Sequence, residues 1–189
     1  MVGAVVPSSP RLVAAMVGQI DPAAAVFEIG AGTGVITRRI PRPAHAMPLV
    51  VFEQDKHLAR HLRRRVRHAL VVEGLFHDTV SSLGALPDHL DILSSVPFNS
   101  LPGGLYLHTI EAICVILLAS PGRRLIQYSY FNRPPFDAHN SGLHWSRLVR
   151  VWANLPPATV WELRARLVVP DACAEHYRPL SATGAPSSV

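Results

Sequence analysis

The sequence predicts an α/β domain built on a doubly wound, mostly parallel sheet that ends in an antiparallel pair of strands. Three observations support this prediction. Short apolar runs alternate with helix-length segments from residue 24 to residue 131, as in strand–helix–strand units. The first of these runs leads directly into three alternating glycines, Gly30, Gly32 and Gly34. After residue 131 the alternation stops, and two β-type segments flank a proline-rich turn.

Composition favours one folded domain with an ordinary core. The 189 residues are 49% apolar and 16% charged, which excludes a disordered chain. We expect a single domain over residues 1–180 and a flexible tail over 181–189. The net charge of +5 and pI near 9.9 favour an anionic partner, either a nucleic acid, a membrane surface or a phosphorylated substrate.

No segment predicts a membrane span or a metal site. The longest apolar stretch, 110–119, carries Glu111 and is too short to cross a bilayer. The N-terminus lacks the basic region of a signal peptide, so we expect a cytoplasmic protein, either soluble or peripheral. Cys114 is predicted to be a small core residue, and neither it nor Cys173 belongs to a metal-ligand pattern.

The first predicted element is a helix over residues 8–20. Ser8 or Ser9 is the candidate N-cap, and Pro10 suits the first turn. Apolar residues recur on one face of this helix. Segment 1–21 is therefore expected to cover the sheet, to lie in a membrane interface, or both.

The remaining elements follow in order. A strand over 24–29 is predicted to lead through the glycine turn into a helix that ends near Ile40. Later strands are predicted over 49–52, 70–72, 91–93 and 124–131, with helices over 55–67 and 105–119. The closing antiparallel pair is predicted over 144–153 and 159–168, around a turn at 154–157.

The glycine turn predicts a nucleotide cofactor site. Glu28 ends the first strand, and the glycines after it permit tight backbone angles and a close ligand approach. Glu53 follows 19 residues after Gly34, at the end of the second strand, where a carboxylate can accept from ribose hydroxyls. A glycine turn without a ligand, or a different nucleotide, remains an alternative.

The E-x-G-x-G-x-G spacing resembles motif I of the class I S-adenosylmethionine-dependent methyltransferases, which have a Rossmann-like fold. The resemblance implies S-adenosyl-L-methionine as cofactor. It assigns these cofactor-binding residues: Glu28, Gly30, Ala31, Gly32, Thr33, Gly34, Glu53, Gln54 and Ser94. The family usually has an adenine-binding Asp after the third strand, where this chain has Leu75. Asp78, or stacking on Phe76, is the expected substitute.

The turn after the fourth strand is the candidate catalytic segment. Ser95, Pro97 and Phe98 resemble the polar-x-Pro-aromatic turn of amino methyltransferases that act on nucleic acid bases, with Ser95 in place of Asn. Tyr128 and Tyr130 are expected to join Phe98 in an aromatic wall around a cationic nitrogen. Simple core packing is the alternative for these rings. His108 and His144 are candidate proton acceptors or phosphate contacts.

Longer stretches resemble the small bacterial phospholipid N-methyltransferases, which methylate phosphatidylethanolamine. The matching segments span residues 1–165 and include 3–9, 28–34, 94–98, 127–130 and 151–161. The resemblance implies a peripheral protein at the inner face of the membrane with a phospholipid substrate. A ribosomal RNA adenine N6-methyltransferase, a small-molecule methyltransferase and a non-catalytic cofactor-binding domain are the alternatives. The basic helix 55–68 is expected to contact anionic lipid, to contact RNA phosphate, or simply to face solvent. The oligomeric state is left open.

Overall fold

A computed structural model describes residues 9–41, 48–98, 103–130 and 132–166. The predicted tail, Ser8 and Cys173 lie outside these residues. Seven strands form one sheet: β1 Ala25–Ile29, β2 Leu49–Glu53, β3 Leu70–Glu73, β4 Leu90–Ser94, β5 Arg123–Ser129, β6 Leu143–Val151 and β7 Ala158–Ala165. Their order is β3-β2-β1-β4-β5-β7-β6.

The pairing confirms the predicted fold class. β1 to β5 are parallel to their neighbours, whereas β7 lies between β5 and β6 and pairs antiparallel with both. The C-terminal strands therefore form the expected antiparallel pair. β6 consequently runs in the same direction as β1 to β5.

Four α-helices cover the sheet: α1 Pro10–Val17, α2 Lys56–Arg65, α3 Phe76–Thr79 and α4 Gly103–Leu118. α1 and α2 pack on one face and α3 and α4 on the other, so each face has its own apolar cluster. Short 3-10 helices occupy Thr37–Arg39 and Val80–Leu83. None of the helices in the described ranges is long and apolar enough to cross a bilayer.

The helix predicted between the glycine turn and Ile40 is wrong. Turns and the 3-10 helix Thr37–Arg39 take its place. Gly34 has a φ of +77°, which a right-handed helix excludes. The residues that follow, Val35, Ile36 and Thr37, are β-branched and lose side-chain freedom in a helix. The residues that remain before Pro41 are too few for their hydrogen bonds to offset the cost of nucleating a helix.

α1 packs on one face of the sheet. The Ser9 hydroxyl accepts a hydrogen bond from the Leu12 N–H at 3.2 Å, which caps the helix. Leu12, Val13 and Met16 are fully buried in the cluster beneath it. The apolar face of the helix is thus occupied within the protein.

An ionic network fixes the amino-terminal edge of the parallel strands. Asp91 is buried on β4, and its Oδ1 and Oδ2 accept from Arg124 of β5 at 2.5 and 2.8 Å. Arg124 also donates to Glu162 of β7 at 2.9 Å and to the Gln19 carbonyl at 2.6 Å. The Asp21 N–H donates to Asp91 at 2.7 Å. The network joins three strands to the segment that follows α1.

Candidate cofactor and acceptor site

The carboxyl ends of β1, β2 and β4 meet at one edge of the sheet, where such folds bind ligands. Ile29 is in register with Ser94, and Glu28 with Val51. The glycine turn leaves β1 at this edge. Its three glycines all have positive φ, +71° at Gly30, +57° at Gly32 and +77° at Gly34. Non-glycine residues are strained in such conformations.

The three glycines differ in their surroundings. A Cβ on Gly30 would lie 2.6 Å from Val96 Cγ2, and one on Gly34 would lie 2.6 Å from Leu62 Cδ2. Both positions therefore need glycine for packing as well as for φ. A Cβ on Gly32 would meet nothing within 4 Å. Gly32 therefore leaves open space at the point where a ligand can approach the backbone.

Glu28 is a buried carboxyl group whose polar neighbour is Thr37. Its exposed fraction is 1%, and neither of its oxygens makes a hydrogen bond of good geometry within the described residues. Burial raises the pKa of Glu28 from 4.5 to about 7, although hydrogen bonding from the Thr37 hydroxyl and backbone N–H lowers it in part. The neighbouring carboxylate of Glu53 raises it further. Such a poorly satisfied acid beside an open glycine turn suits a cationic ligand group.

Glu53 connects β2 to the glycine turn. Its Oε2 accepts from the Gly32 N–H at 2.7 Å and its Oε1 from the Asp55 N–H at 2.9 Å. Gln54 beside it is exposed, as is Thr33, whereas Ala31 is buried. The second carboxylate therefore reaches the turn from the neighbouring strand.

The candidate catalytic turn is braced by three hydrogen bonds. The Ser95 hydroxyl donates to the Gly30 carbonyl at 2.9 Å, and the Ser94 hydroxyl accepts from the Val96 N–H at 3.2 Å. Gln127 on β5 donates from Nε2 to the Val96 carbonyl at 2.8 Å. Because Ser95 uses its proton on Gly30, its oxygen remains an acceptor. Pro97 is exposed at this turn.

Sequence reasoning did not select Gln127 as a site residue. Its side chain is 2% exposed, and its Oε1 makes no hydrogen bond within the described residues. Gln127 directly follows the apolar pair Leu125 and Ile126 on β5, and a polar residue at that place was the available signal. β5 places it beside Ser94 in the sheet register, where it positions the turn.

The predicted adenine contacts have mixed placements. Phe76 starts α3 and is 3% exposed, with its ring centroid 4.9 Å from that of Phe52 in an edge-on contact. Adenine stacking on Phe76 therefore requires the ring to move. Asp78 is exposed on the same short helix, with Oδ1 3.5 Å from His77 Nε2. Leu75 precedes the helix and provides no side-chain acceptor.

The three rings of the predicted aromatic wall lie on opposite faces of the sheet. Phe98 is buried in the cluster under α4, against Tyr106 and Phe136. Tyr128 and Tyr130 pack in the other cluster, with ring centroids 5.5 Å apart. Burial raises the pKa of Tyr130 to about 12. The structure brings the two tyrosines together but does not bring Phe98 to them.

The two candidate histidines lie on different elements, His108 on α4 and His144 on β6. His108 is exposed on α4, with its ring 5.5 Å from that of His77. His144 is the second residue of β6, opposite Arg164 at the amino-terminal edge of the parallel strands, and it lines a cavity of about 650 Å³ that no glycine-turn residue borders. His144 is thus not brought to the glycine turn. Within the described ranges, no three His, Cys, Asp or Glu residues are grouped to hold a metal ion.

Comparisons with solved structures support the fold assignment. No protein-family model and no curated protein matches the chain. The 23S rRNA methyltransferase ErmE superposes over 84% of this chain and 69% of its own, with a TM-score of 0.58 and 16% identity. The precorrin-6y C5,15-methyltransferase of Geobacter metallireducens covers 87% of this chain and 91% of its own (TM-score 0.61, 13% identity). The putative methyltransferase yhhF of Escherichia coli covers 87% and 90% (TM-score 0.60, 16% identity). At these identities the likeness establishes the shared fold of class I methyltransferases.

Proposed function

We propose that this protein is an S-adenosyl-L-methionine-dependent N-methyltransferase that acts on the amine head group of a phospholipid. The observation that carries the cofactor assignment is the buried Glu28 carboxyl, which has no cationic side chain hydrogen-bonded to it within the described residues and which precedes a glycine turn open at Gly32. A ligand that brings an ammonium group would pair with this acid and fill that space.

The residues at the edge of the sheet fit the rest of the cofactor in part. Glu53 holds the Gly32 N–H and has the position to accept from ribose hydroxyls once its contacts rearrange. The chain has Leu75 in place of the acid that usually binds adenine. Asp78 and the backbone around Gly74 are therefore the groups proposed to bind adenine. When bound, S-adenosylmethionine supplies a methyl group already activated on its sulfonium.

The acceptor ammonium loses a proton to water before attack, and the protein's chemical task is then to align the neutral amine with the methyl group. Ser95 Oγ, with its own proton on Gly30, accepts a hydrogen bond from an amine N–H and orients the nitrogen lone pair. Gln127 holds the turn in place through Val96. The faces of Tyr128 and Tyr130 favour the cationic nitrogen that methylation creates.

The choice of a lipid acceptor rests on the sequence resemblance over residues 1–165. A ribosomal RNA adenine is the second candidate, favoured by the exposed basic face of α2, which includes Arg60 and Arg64. The acceptor turn favours a lipid amine, because Ser95 replaces the longer Asn of base-specific enzymes.

The test is methyl transfer with the two acceptors in separate reactions. Vesicles containing phosphatidylethanolamine are expected to gain one to three methyl groups by mass spectrometry, and unmethylated ribosomal RNA none. The Glu28→Gln variant is the matched negative control. Transfer to RNA alone refutes the lipid assignment. Binding of S-adenosylhomocysteine without transfer to either acceptor points to a small-molecule substrate.

A further inference from the structure

The hairpin tip between β6 and β7, residues 152–157, exposes two large apolar side chains. Trp152 is 71% exposed and Leu155 is 91% exposed. They stand three residues apart on one short turn, within a segment that the site does not use. Paired apolar side chains on a protruding tip differ from the scattered apolar residues of an ordinary surface.

Hydrogen bonds and a cation–π contact stabilise the conformation of the hairpin tip. Asn154 is 5% exposed, and its Nδ2 donates to the Pro156 carbonyl at 2.7 Å, while its N–H donates to the Val151 carbonyl at 3.3 Å. The Arg150 guanidinium carbon lies 4.3 Å from the centroid of the Trp152 ring, a cation–π contact. The buried Asn154 thus fixes a turn whose apolar side chains point outward.

The tip lies at the same edge of the sheet as the candidate site. Thr159 on β7 pairs with Ser129, the last residue of β5, and Val151 pairs with Ala158 just before it. The hairpin therefore extends past the carboxyl end of β5. β7 is two strands from β4, which places it roughly 10 Å across the sheet from the strand that leads to Ser95.

The charge around the tip matches an anionic surface. No acidic residue stands between Asp137 and Glu162, and this stretch contains Arg147 and Arg150. Tryptophan prefers the interface between lipid head groups and hydrocarbon, and leucine partitions into hydrocarbon. Arginine adds attraction to anionic lipids. RNA fits less well, because Leu155 has no flat face on which a base can stack.

We infer that this hairpin docks the protein on an anionic phospholipid bilayer. Trp152 lies at the head-group level, Leu155 enters the acyl region, and Arg150 contacts lipid phosphate. Docking in this orientation turns the edge that carries Glu28 and Ser95 toward the head groups. The inference rests on the proposed lipid acceptor and names the surface from which that acceptor is taken.

The test compares two variants of the full chain on vesicles of equal phosphatidylcholine and phosphatidylglycerol. Trp152→Ser combined with Leu155→Ser is expected to weaken cosedimentation at least tenfold. Val115→Ser, which removes a 69% exposed apolar residue from α4, should change it less than twofold. Thermal unfolding checks that both variants fold. Equal sedimentation of the double variant and the unmodified protein overturns the inference.

A fluorescence measurement gives an independent readout. Trp152 is the exposed member of the three tryptophans, because Trp161 is buried and Trp145 half-buried. Vesicles should shift the emission of the unmodified protein to shorter wavelength and leave Trp152→Phe nearly unshifted. Equal shifts in both proteins contradict insertion of Trp152.

Two substrates separate this inference from the proposed function. On monomeric short-chain phosphatidylethanolamine the double variant should match the unmodified protein within twofold, while on vesicles it should lose at least tenfold in rate. Equal rates on vesicles refute docking and leave the function standing. No methylation of any lipid, with vesicle binding still dependent on the hairpin, refutes the function and leaves docking standing. Loss of RNA binding with unchanged vesicle binding overturns the inference in favour of RNA.

Discussion

At the scale of single residues, Glu28 combines a strong penalty for folding with a position suited to a ligand. Its carboxyl group is buried with Thr37 as its polar neighbour, and burial raises its pKa to about 7. Between pH 4.5 and 7 the folded protein keeps a proton that the unfolded chain releases. The free energy of unfolding therefore falls as the pH rises through this window.

Glu28→Gln is expected to stabilise the unliganded protein at pH 8. Glutamine keeps the shape and removes the charge, so the gain is on the order of 3 kcal/mol, because burial raises the pKa of Glu28 from 4.5 to about 7. At pH 5 the gain should be much smaller. Thermal unfolding at both pH values measures it. The control is Glu73→Gln, an exposed acid at the end of β3, which should shift stability by less than about 1 kcal/mol at either pH.

The same change should weaken the cofactor site. If the Glu28 carboxylate pairs with a ligand ammonium, Glu28→Gln reduces affinity for S-adenosylhomocysteine at least tenfold. In the unmodified protein the affinity should rise as the pH passes through about 7 and level off above it, because only the ionised acid pairs. Calorimetric titrations from pH 6 to 8 give both results. Unchanged affinity in the variant refutes the role of this residue.

The Gly32→Ala variant, compared with a control glycine, distinguishes the loss of space for a ligand from the effect of backbone strain. The φ of +57° makes alanine unfavourable by about 1–2 kcal/mol, and the added Cβ enters open space where the ligand is proposed. Binding of S-adenosylhomocysteine should fall at least tenfold. Gly84→Ala is the control, because it also has positive φ (+74°) and open space but lies on a distant turn. It should lose stability and keep its affinity.

The residues that the sequence predicts best are those whose role is set locally. Gly30, Gly32 and Gly34 need their φ angles, and Glu53 ends a strand whose neighbour carries the turn. Phe76 and Phe98 were harder to place, because sequence spacing does not reveal which face of the sheet a ring enters. Gln127 was missed for a different reason: its contact with Val96 spans 31 residues, which local spacing does not reveal.

At the scale of elements, the strands were more predictable than the helix after the glycine turn. Buried parallel strands are read from apolar runs, and all seven appear within a few residues of their predicted positions. The helix expected before Ile40 required a continuous backbone pattern. A positive φ at Gly34 and three β-branched residues prevented it.

Arg124 is the element-scale test, because it joins β4, β5 and β7. Its contacts with Asp91 and Glu162 raise its pKa, so the guanidinium stays charged at every pH at which the protein is studied. Arg124→Met leaves the buried Asp91 without its cationic partner and leaves Glu162 with Arg164, so it should destabilise the protein by about 3–5 kcal/mol at pH 7. Urea unfolding at pH 7 measures the loss.

The control for Arg124 is its neighbour Arg164. Arg164 pairs with Glu162 alone and its side chain is 35% exposed, so Arg164→Met should cost no more than about 1 kcal/mol. Equal losses in the two variants would show that the network does not depend on the buried member.

At the scale of the whole molecule, the order of the strands could not be predicted from local sequence patterns. The sequence indicates that the last two strands pair with each other, but not that β7 enters between β5 and β6. That insertion depends on contacts between distant segments, such as Trp161 Nε1 donating to Ser129 Oγ at 2.9 Å. It also sends the β6–β7 hairpin to the edge of the sheet that carries the candidate site.

α1 provides the last prediction, because sequence alone left it between covering the sheet and lying on a membrane. Leu12, Val13 and Met16 are fully buried, and each contributes about 1.5–3 kcal/mol. Their sum is comparable to the entire stability of a domain. Deleting residues 1–20 should therefore unfold the protein, and such a truncation cannot test membrane binding.

A surface variant of α1 answers the question instead. Arg11 is exposed on the outer side of the helix and is its one charged residue. Arg11→Gln should preserve the thermal midpoint and change binding to anionic vesicles less than twofold, because the hairpin at Trp152 makes the proposed contact. A tenfold loss on Arg11→Gln would instead assign the membrane contact to α1. In that case the protein would approach the bilayer with one face of its sheet, and the candidate site at the strand ends would lie at the rim of the contact.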